Sequence, residues 1–259
     1  MADADQLLRD GDVTGARAAL VDIVRSRPAD EQARMFLFQL LAVTGEWDKA
    51  RNQLQSLGQV AAEAQMLAAT YGQAIEAEKL RIEIFAGRQE MPVLMGQDGW
   101  AADLARSVTL FAKGDAQGAE AARDAAFEAA PDTPGSFNGE RFDWVADADS
   151  RFGPAFEAIV GGKYGLIPFD QIERITGEGP RDLRDIVWYP VQIMFRNGQS
   201  AAAFLPTRYP GSEAAEDSTL RLARATSWTE DGAGTGQRLW TFSDGEDRGL
   251  LELREIAFD

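Results

Sequence analysis

The chain has 259 residues and a formal net charge of −16, with 45% hydrophobic and 26% charged residues. That is the profile of a soluble globular protein long enough for one large domain or two ordinary ones. The charge is spread over both halves without a basic patch or tail, so nucleic acid and anionic membrane surfaces are poor partners, whereas a basic protein segment would be steered in. No histidine or cysteine is present, which removes the Ser-His-Asp and Cys-His arrangements, H-E-x-x-H and every Cys/His zinc site. Carboxylate, lysine, tyrosine or oxygen-ligand chemistry is what remains.

The opening, MADADQLLRDGD, is acidic and lacks the basic and apolar regions of a signal peptide, and no apolar run approaches the ~20 residues of a membrane span. A cytoplasmic location is the expectation.

Residues 1 to about 130 are rich in Ala, Leu, Glu, Arg and Gln and read as helices. A short unit recurs at Gly11-Asp12, Gly45-Glu46 and Gly114-Asp115. The first two are 34 residues apart and the third follows 69 later, close to twice the tetratricopeptide period. In each unit Gly11, Gly45 or Gly114 ends one helix in a left-handed cap, and the acidic residue starts the next. Ala16, Leu20, Ile23 and Val24 share one helical face, as do Phe36, Leu37, Leu40 and Leu41, and Trp100, Leu104, Val108 and Phe111. The unit expected near residue 79 lacks its glycine turn. Instead residues 61–85 read as one long helix or as two broken near Tyr71-Gly72. Such an array presents a concave surface suited to an extended or helical peptide. Phe36, Leu40, Trp47 and Trp100 are its candidate groove residues, although large apolar side chains at this spacing are more often core.

Pro131-Asp132-Thr133-Pro134-Gly135 reads as a linker, giving a helical domain over residues 1–133 and an α+β domain over 134–259. Residues 186–195 are strand-like, Asn197-Gly198 is a type I′ hairpin signal, and residues 201–205 return as the partner strand. Residues 220–228, 239–242 and 250–256 are further strand candidates, with turns at 232–236 and 243–247. The expected sheet is mostly antiparallel and curled toward a barrel.

Between linker and strands lies DWVADADSRFGPAFEAIVGGKYGLIP, residues 143–168. As a calcium loop starting at Asp147 it fails at Arg151, Phe152 and Ala158, where a ligand, a glycine and a glutamate are required. Asp147, Asp149 and Glu157 could instead serve a carboxylate-dependent hydrolase or metal enzyme at an interdomain cleft, which is the alternative reading. A structural reading accounts for more residues. Asp149 or Ser150 caps a hinge helix near 150–160, Pro154 sits in its first turn, and Phe152, Phe156, Ile159 and Val160 form its apolar face. Gly161-Gly162 then stops it, and Arg151 forms a forked salt bridge with a nearby carboxylate. Gly162-Lys163 is followed by Tyr164 and is no P-loop. The glycines at 232–236 open no helix and are no dinucleotide fingerprint.

An ordered series of short motifs resembles the ImpE/TagJ, or SciE-like, accessory proteins of bacterial type VI secretion. It comprises Leu8 to Asp12, Gly45-Glu46-Trp47, Trp144, Asp147, Asp149, Arg151, Gly153-Pro154, Glu157, Gly162, Tyr164 and Pro168. It continues through Asp182-Leu183, Asp185, Trp188, Pro190, Asn197-Gly198, Leu205-Pro206, Arg208-Tyr209-Pro210-Gly211 and Leu251 to Ile256. The chain departs from the family at Leu166, where an aromatic residue is usual. The resemblance implies a cytoplasmic adaptor with no catalytic activity and no cofactor. Its implied partners are the small sheath subunit and, in some systems, the AAA+ disassembly ATPase. On this reading Asp147, Asp149, Arg151, Glu157 and Tyr164 join the candidate partner-contact residues.

Overall fold

The structure, a computed structural model, describes residues 2–61, 64–96 and 99–259. Among the described residues seven helices come first: α1 (Ala2–Arg9), α2 (Val13–Ser26), α3 (Glu31–Val43), α4 (Trp47–Val60), α5 (Ala64–Phe85), α6 (Trp100–Ala112) and α7 (Ala116–Ala129). The three repeated turns fall between α1 and α2, α3 and α4, and α6 and α7. Gly11, Gly45 and Gly114 have φ of 84°, 69° and 82°, a region open to glycine without Cβ strain. Asp12 and Asp115 cap the following helices, accepting from Gly15 N and Gly118 N at 2.8 and 2.9 Å. Glu46 stands at the same position but makes no capping bond. It pairs with Arg17 and Lys49, the former tying α2 to the α3–α4 turn.

The fourth unit is absent because α5 runs 22 residues without a break at Tyr71-Gly72. Of the long helix expected over 61–85, residues 62 and 63 lie outside the described residues.

Thirteen strands follow among the described residues. They are β1 (Gly135–Phe137), β2 (Glu140–Phe142), β3 (Val145–Asp147), β4 (Ala155–Val160), β5 (Lys163–Pro168), β6 (Ile172–Gly177), β7 (Trp188–Phe195), β8 (Ser200–Pro206), β9 (Thr226–Trp228), β10 (Gly234–Gly236), β11 (Leu239–Phe242), β12 (Asp247–Gly249) and β13 (Glu255–Phe258). Eight form one sheet in the order β2-β1-β13-β6-β7-β8-β4-β5. A second sheet is β12-β11-β3, and β9 pairs with β10. All these pairings are antiparallel. The large sheet is open rather than closed into a barrel, with β2 and β5 at its edges. The segment after α5 covers the β5 edge: Leu166 N donates to Pro92 O and Leu94 N to Leu166 O, at 2.8 and 2.9 Å. Unpaired edges invite foreign strands, and this one is occupied.

Three expectations are corrected. The hinge helix near 150–160 does not form. Residues 149–153 make a turn, and residues 155–160 are β4, joined to β5 by Gly161-Gly162. Those glycines have φ of 57° and 77°, a two-residue hairpin turn rather than a helix stop. Pro154 accordingly precedes a strand. Second, the strand expected over 220–228 is the short helix α8 (Ser218–Arg221), capped by Asp217, followed by β9. Third, the span 250–256 is a 3₁₀ turn over Leu250–Glu252 and then the start of β13. The Asn197-Gly198 hairpin joins β7 to β8 as expected.

The large sheet packs on both faces. One face shares a core with β11 and β3, built from Phe156, Ile175, Tyr189, Trp240 and Phe242. The other, at the β4, β5, β7 and β8 end, shares a core with the helices, built from Phe38, Trp47, Ile75, Ile159 and Trp188. The helical array and the sheet are therefore sealed by one continuous apolar layer, worth roughly 1.5–3 kcal/mol per large side chain buried.

Candidate functional site

Tyr71 of α5 is the hub of the seam. Its ring centroid lies 5.7 Å from that of Phe38 on α3, 5.7 Å from Trp188 on β7 and 5.1 Å from Phe204 on β8. The Arg184 guanidinium lies over its open face, 4.8 Å from the centroid. Enclosure pushes the Tyr71 hydroxyl up to about 12.

Two turns further along α5 the seam becomes ionic. Glu78 and Arg81 of α5 meet Asp147, Asp149, Glu157, Arg208 and Arg238 of the β half, each no more than 5% exposed. Arg81 forks onto Glu157, Nε to Oε1 at 2.7 Å and Nη2 to Oε2 at 2.9 Å. It also donates to Arg208 O at 2.8 Å. Arg238 bridges Glu157 and Asp147, and the Tyr164 hydroxyl donates to Glu157. Glu78 accepts from the Trp188 indole Nε1 at 3.1 Å. Asp149 is held by the fork of Arg151 and by Gly234 N at 2.8 Å. The salt bridge expected of Arg151 is this one. Arg151 also lies over the rings of Phe85 and Phe111, 5.3 and 5.9 Å from their centroids.

Burial sets the proton affinities here. It pushes the Asp147 carboxyl up to about 6, against the opposing pull of Arg238, and raises Glu78. It lowers Arg208 to about 10. The carboxylates do not face each other across a cleft, as a hydrolase would need. Asp147 and Glu157 share one guanidinium. Among the described residues no group of acidic side chains is arranged to hold a metal ion.

Above this cluster the surface opens into two cavities that share Leu67, Arg181 and Asp182. One, of 880 Å³, runs between α5 and the sheet, with Met66, Thr70 and Tyr71 on one wall and Ile159, Gln192 and Phe204 on the other. The second, of 780 Å³, lies between α1, α3, α4 and the 181–183 turn, with Met35, Phe36 and Leu57 at its base. Together they form one groove. Asp5, Glu31, Glu178 and Asp182 line it, against Arg181 and Arg184. Met66, 80% exposed, offers a flexible thioether at its lip. None of the clustered ionic residues lines either cavity, whereas Asp185, buried and outside that cluster, lines the first.

Of the candidate contact residues, Phe36 reaches the groove. Leu40 is fully enclosed, Trp47 packs 5.8 Å from Trp188, and Trp100 packs against the helical core. Asp147, Asp149, Glu157 and Tyr164 lie in the interior and Arg151 is largely covered, so a partner on the surface meets neighbours of these side chains rather than the side chains themselves. Leu166 is also interior, so the position expected to depart from the family pattern lies in the core. Sequence reasoning missed Glu78, Arg81 and Arg238. For the first two a signal existed: they continue the buried stripe of Tyr71, Ala74 and Ile75, so charge falls where the helical period demands apolar residues. Tyr71 and Arg184 carried no comparable mark.

Fold and site together define a helical-repeat protein locked to an antiparallel β unit, with an open groove along the seam. A tetratricopeptide-repeat model matches residues 7–71 and the ImpE protein model matches residues 139–257. The type VI secretion system accessory component TagJ of Pseudomonas aeruginosa is 43% identical over 257 residues, covering 99% of this chain and 91% of that protein. The chain therefore belongs to the ImpE/TagJ family. The crystal structure of protein VPA1032 from Vibrio parahaemolyticus shares the fold, with a TM-score of 0.88 at 20% identity over 99% of this chain and 97% of that one. Among the described residues no helix is long and apolar enough to cross a membrane.

Proposed function

We propose that the protein is a non-catalytic, cytoplasmic adaptor of a type VI secretion system, and that its groove receives a helical segment of a sheath subunit. Membership of a family that includes a type VI accessory component supports the first part. The continuous groove along the seam, apolar at its base and predominantly acidic at its rim, supports the second. An amphipathic helix docks by laying its apolar face into such a trough while its flanking charges meet the rim. With a net charge of −16 the favoured flanks are basic. Engagement of the sheath subunit would also place the protein near the AAA+ ATPase that takes the sheath apart.

The test is fluorescence anisotropy of a labelled N-terminal segment of the small sheath subunit, titrated with the protein and with Phe36→Asp and Met66→Asp. Both positions line the groove and neither belongs to the ionic cluster. Each substitution should weaken binding at least about tenfold, or ~1.4 kcal/mol, with the melting temperature little changed. Undiminished binding by both variants would remove the groove from the account.

A further inference from the structure

The walls of the groove are continuous with the buried ionic cluster, residue by residue. On α5, Thr70, Tyr71 and Ala74 line the groove, and Glu78 and Arg81 follow on the same helix. On β4, Ile159 lines it and Glu157 precedes by two residues, on the same face. On β7, Pro190 and Gln192 line it and Trp188 precedes them on that face. On β8, Phe204 lines it and Pro206, whose carbonyl accepts from Arg238 Nε at 3.2 Å, follows. Bonds that cross from α5 to the β half here start or end beside a groove wall: Arg81 to Glu157, the Trp188 indole to Glu78, and Arg81 to the Arg208 carbonyl two residues beyond Pro206.

Apolar contacts across the seam, such as Tyr71 on Trp188 and Phe204, are non-directional, and the walls also carry small side chains at Ala74, Ala202 and Ala203. A bidentate guanidinium–carboxylate pair is directional in both distance and plane. Removed from water, it has no low-energy alternative, because separating the partners strands a buried charge.

We propose that Glu78, Arg81, Glu157 and Trp188 are positioning residues that set the width of the groove: the α5-to-sheet ionic clamp holds the two walls at the separation a ligand meets. Its relevance to binding rests on the groove being the docking surface, whereas the spacing itself is measurable without any partner. The clamp makes the groove preformed, so a ligand does not bear the cost of assembling it.

The absence of cysteine makes the measurement direct. Spin labels at Thr70→Cys on α5 and Gln192→Cys on β7, both exposed, report the distance across the groove by double electron–electron resonance. A second pair, Asp22→Cys and Asn52→Cys, reports within the helical array away from the groove. In the full chain the cross-groove distribution should be narrow. With Arg81→Met it should broaden and lengthen by about 2 Å or more, the scale of a domain rearrangement, while the helical pair stays fixed. Arg81→Lys, which keeps charge but not the fork, should fall between. Should Arg81→Met fail to fold, Glu78→Gln, which keeps the side-chain shape and replaces the carboxylate that accepts from the Trp188 indole and faces Arg81 by a neutral amide, decides the matter by the same shift. An unchanged cross-groove distribution in a folded clamp variant, or equal broadening of both pairs, would overturn the proposal. Because no ligand is involved, such a failure would leave the docking reading standing, and a failed docking experiment would leave this one standing.

Discussion

Replacing Glu157 with glutamine tests the buried cluster most severely for the smallest change in shape. The native carboxylate accepts two bonds from Arg81, at 2.7 and 2.9 Å, one from Arg238 and one from the Tyr164 hydroxyl. An amide keeps one acceptor oxygen and turns two N–H donors toward guanidiniums that are themselves only donors. Arg81 and Arg238, 5% and 1% exposed, are then left facing each other without their shared counter-charge. Breaking a buried pair by removing one partner costs about 3–5 kcal/mol. Against a total stability of roughly 5–15 kcal/mol that is a large fraction. In urea, followed by fluorescence of the buried Trp188 and Trp240, a slope of about 3 kcal/mol/M makes the midpoint fall by at least ~1 M. Glu83→Gln is the control. Its pair with Arg88 is exposed on both sides, and its midpoint should not move. A loss below about 1 kcal/mol for Glu157→Gln would refute the claim that these charges depend on one another.

Other outcomes follow from the same structure. The folded Asp147 carboxyl titrates near 6, above its value of 3.8 in a solvated chain. The native state therefore holds that proton more tightly, and Asp147 adds stability as pH falls through this window. Each pH unit between the two values is worth about 1.4 kcal/mol. Chemical denaturation between pH 7 and 4 should show this slope in the native protein and its loss in Asp147→Asn. A Cβ at Gly236, where φ is +99°, would stand 2.1 Å from the Ala225 carbonyl oxygen, so Gly236→Ala should cost about 1–3 kcal/mol by calorimetric melting. An isolated fragment of residues 1–133 would expose Phe38, Trp47 and Tyr71, which the sheet covers in the whole chain. It should melt without cooperativity and bind a hydrophobic dye, and a sharp transition would show the helical array to be self-sufficient.

The helical half was legible because its punctuation is local. A glycine that must take positive φ, followed by a capping aspartate, marks Gly11-Asp12 and Gly114-Asp115 whatever they pack against. Asn197-Gly198 was legible for the same reason. The stretch from Arg151 to Pro168 misled because β4 is buried on both faces: five of its six residues are enclosed, so it shows no alternation. Phe152, Phe156, Ile159 and Val160 then mimic a helical stripe, and Gly161-Gly162 serves a helix stop and a hairpin turn equally well. Asp147 and Glu157 looked like a surface site because their counter-ions are remote in sequence, whereas Asp149 pairs with Arg151 two residues on. Glu157 finds Arg81 76 positions earlier and Arg238 81 positions later. No local pattern encodes such a pairing. The groove is equally non-local, made by α5 crossing strands β4, β7 and β8, which lie far along the chain from it.

Calorimetric titration of the full chain with the small sheath subunit of its own secretion system, and with that subunit's N-terminal helical segment, tests the central claim most directly. The account predicts saturable binding of the isolated segment, weakened by added salt as the acidic rim is screened and abolished by Phe36→Asp combined with Met66→Asp. The account is contradicted if neither the folded subunit nor its segment binds at concentrations up to about 1 mM, the weakest affinity still useful to an adaptor.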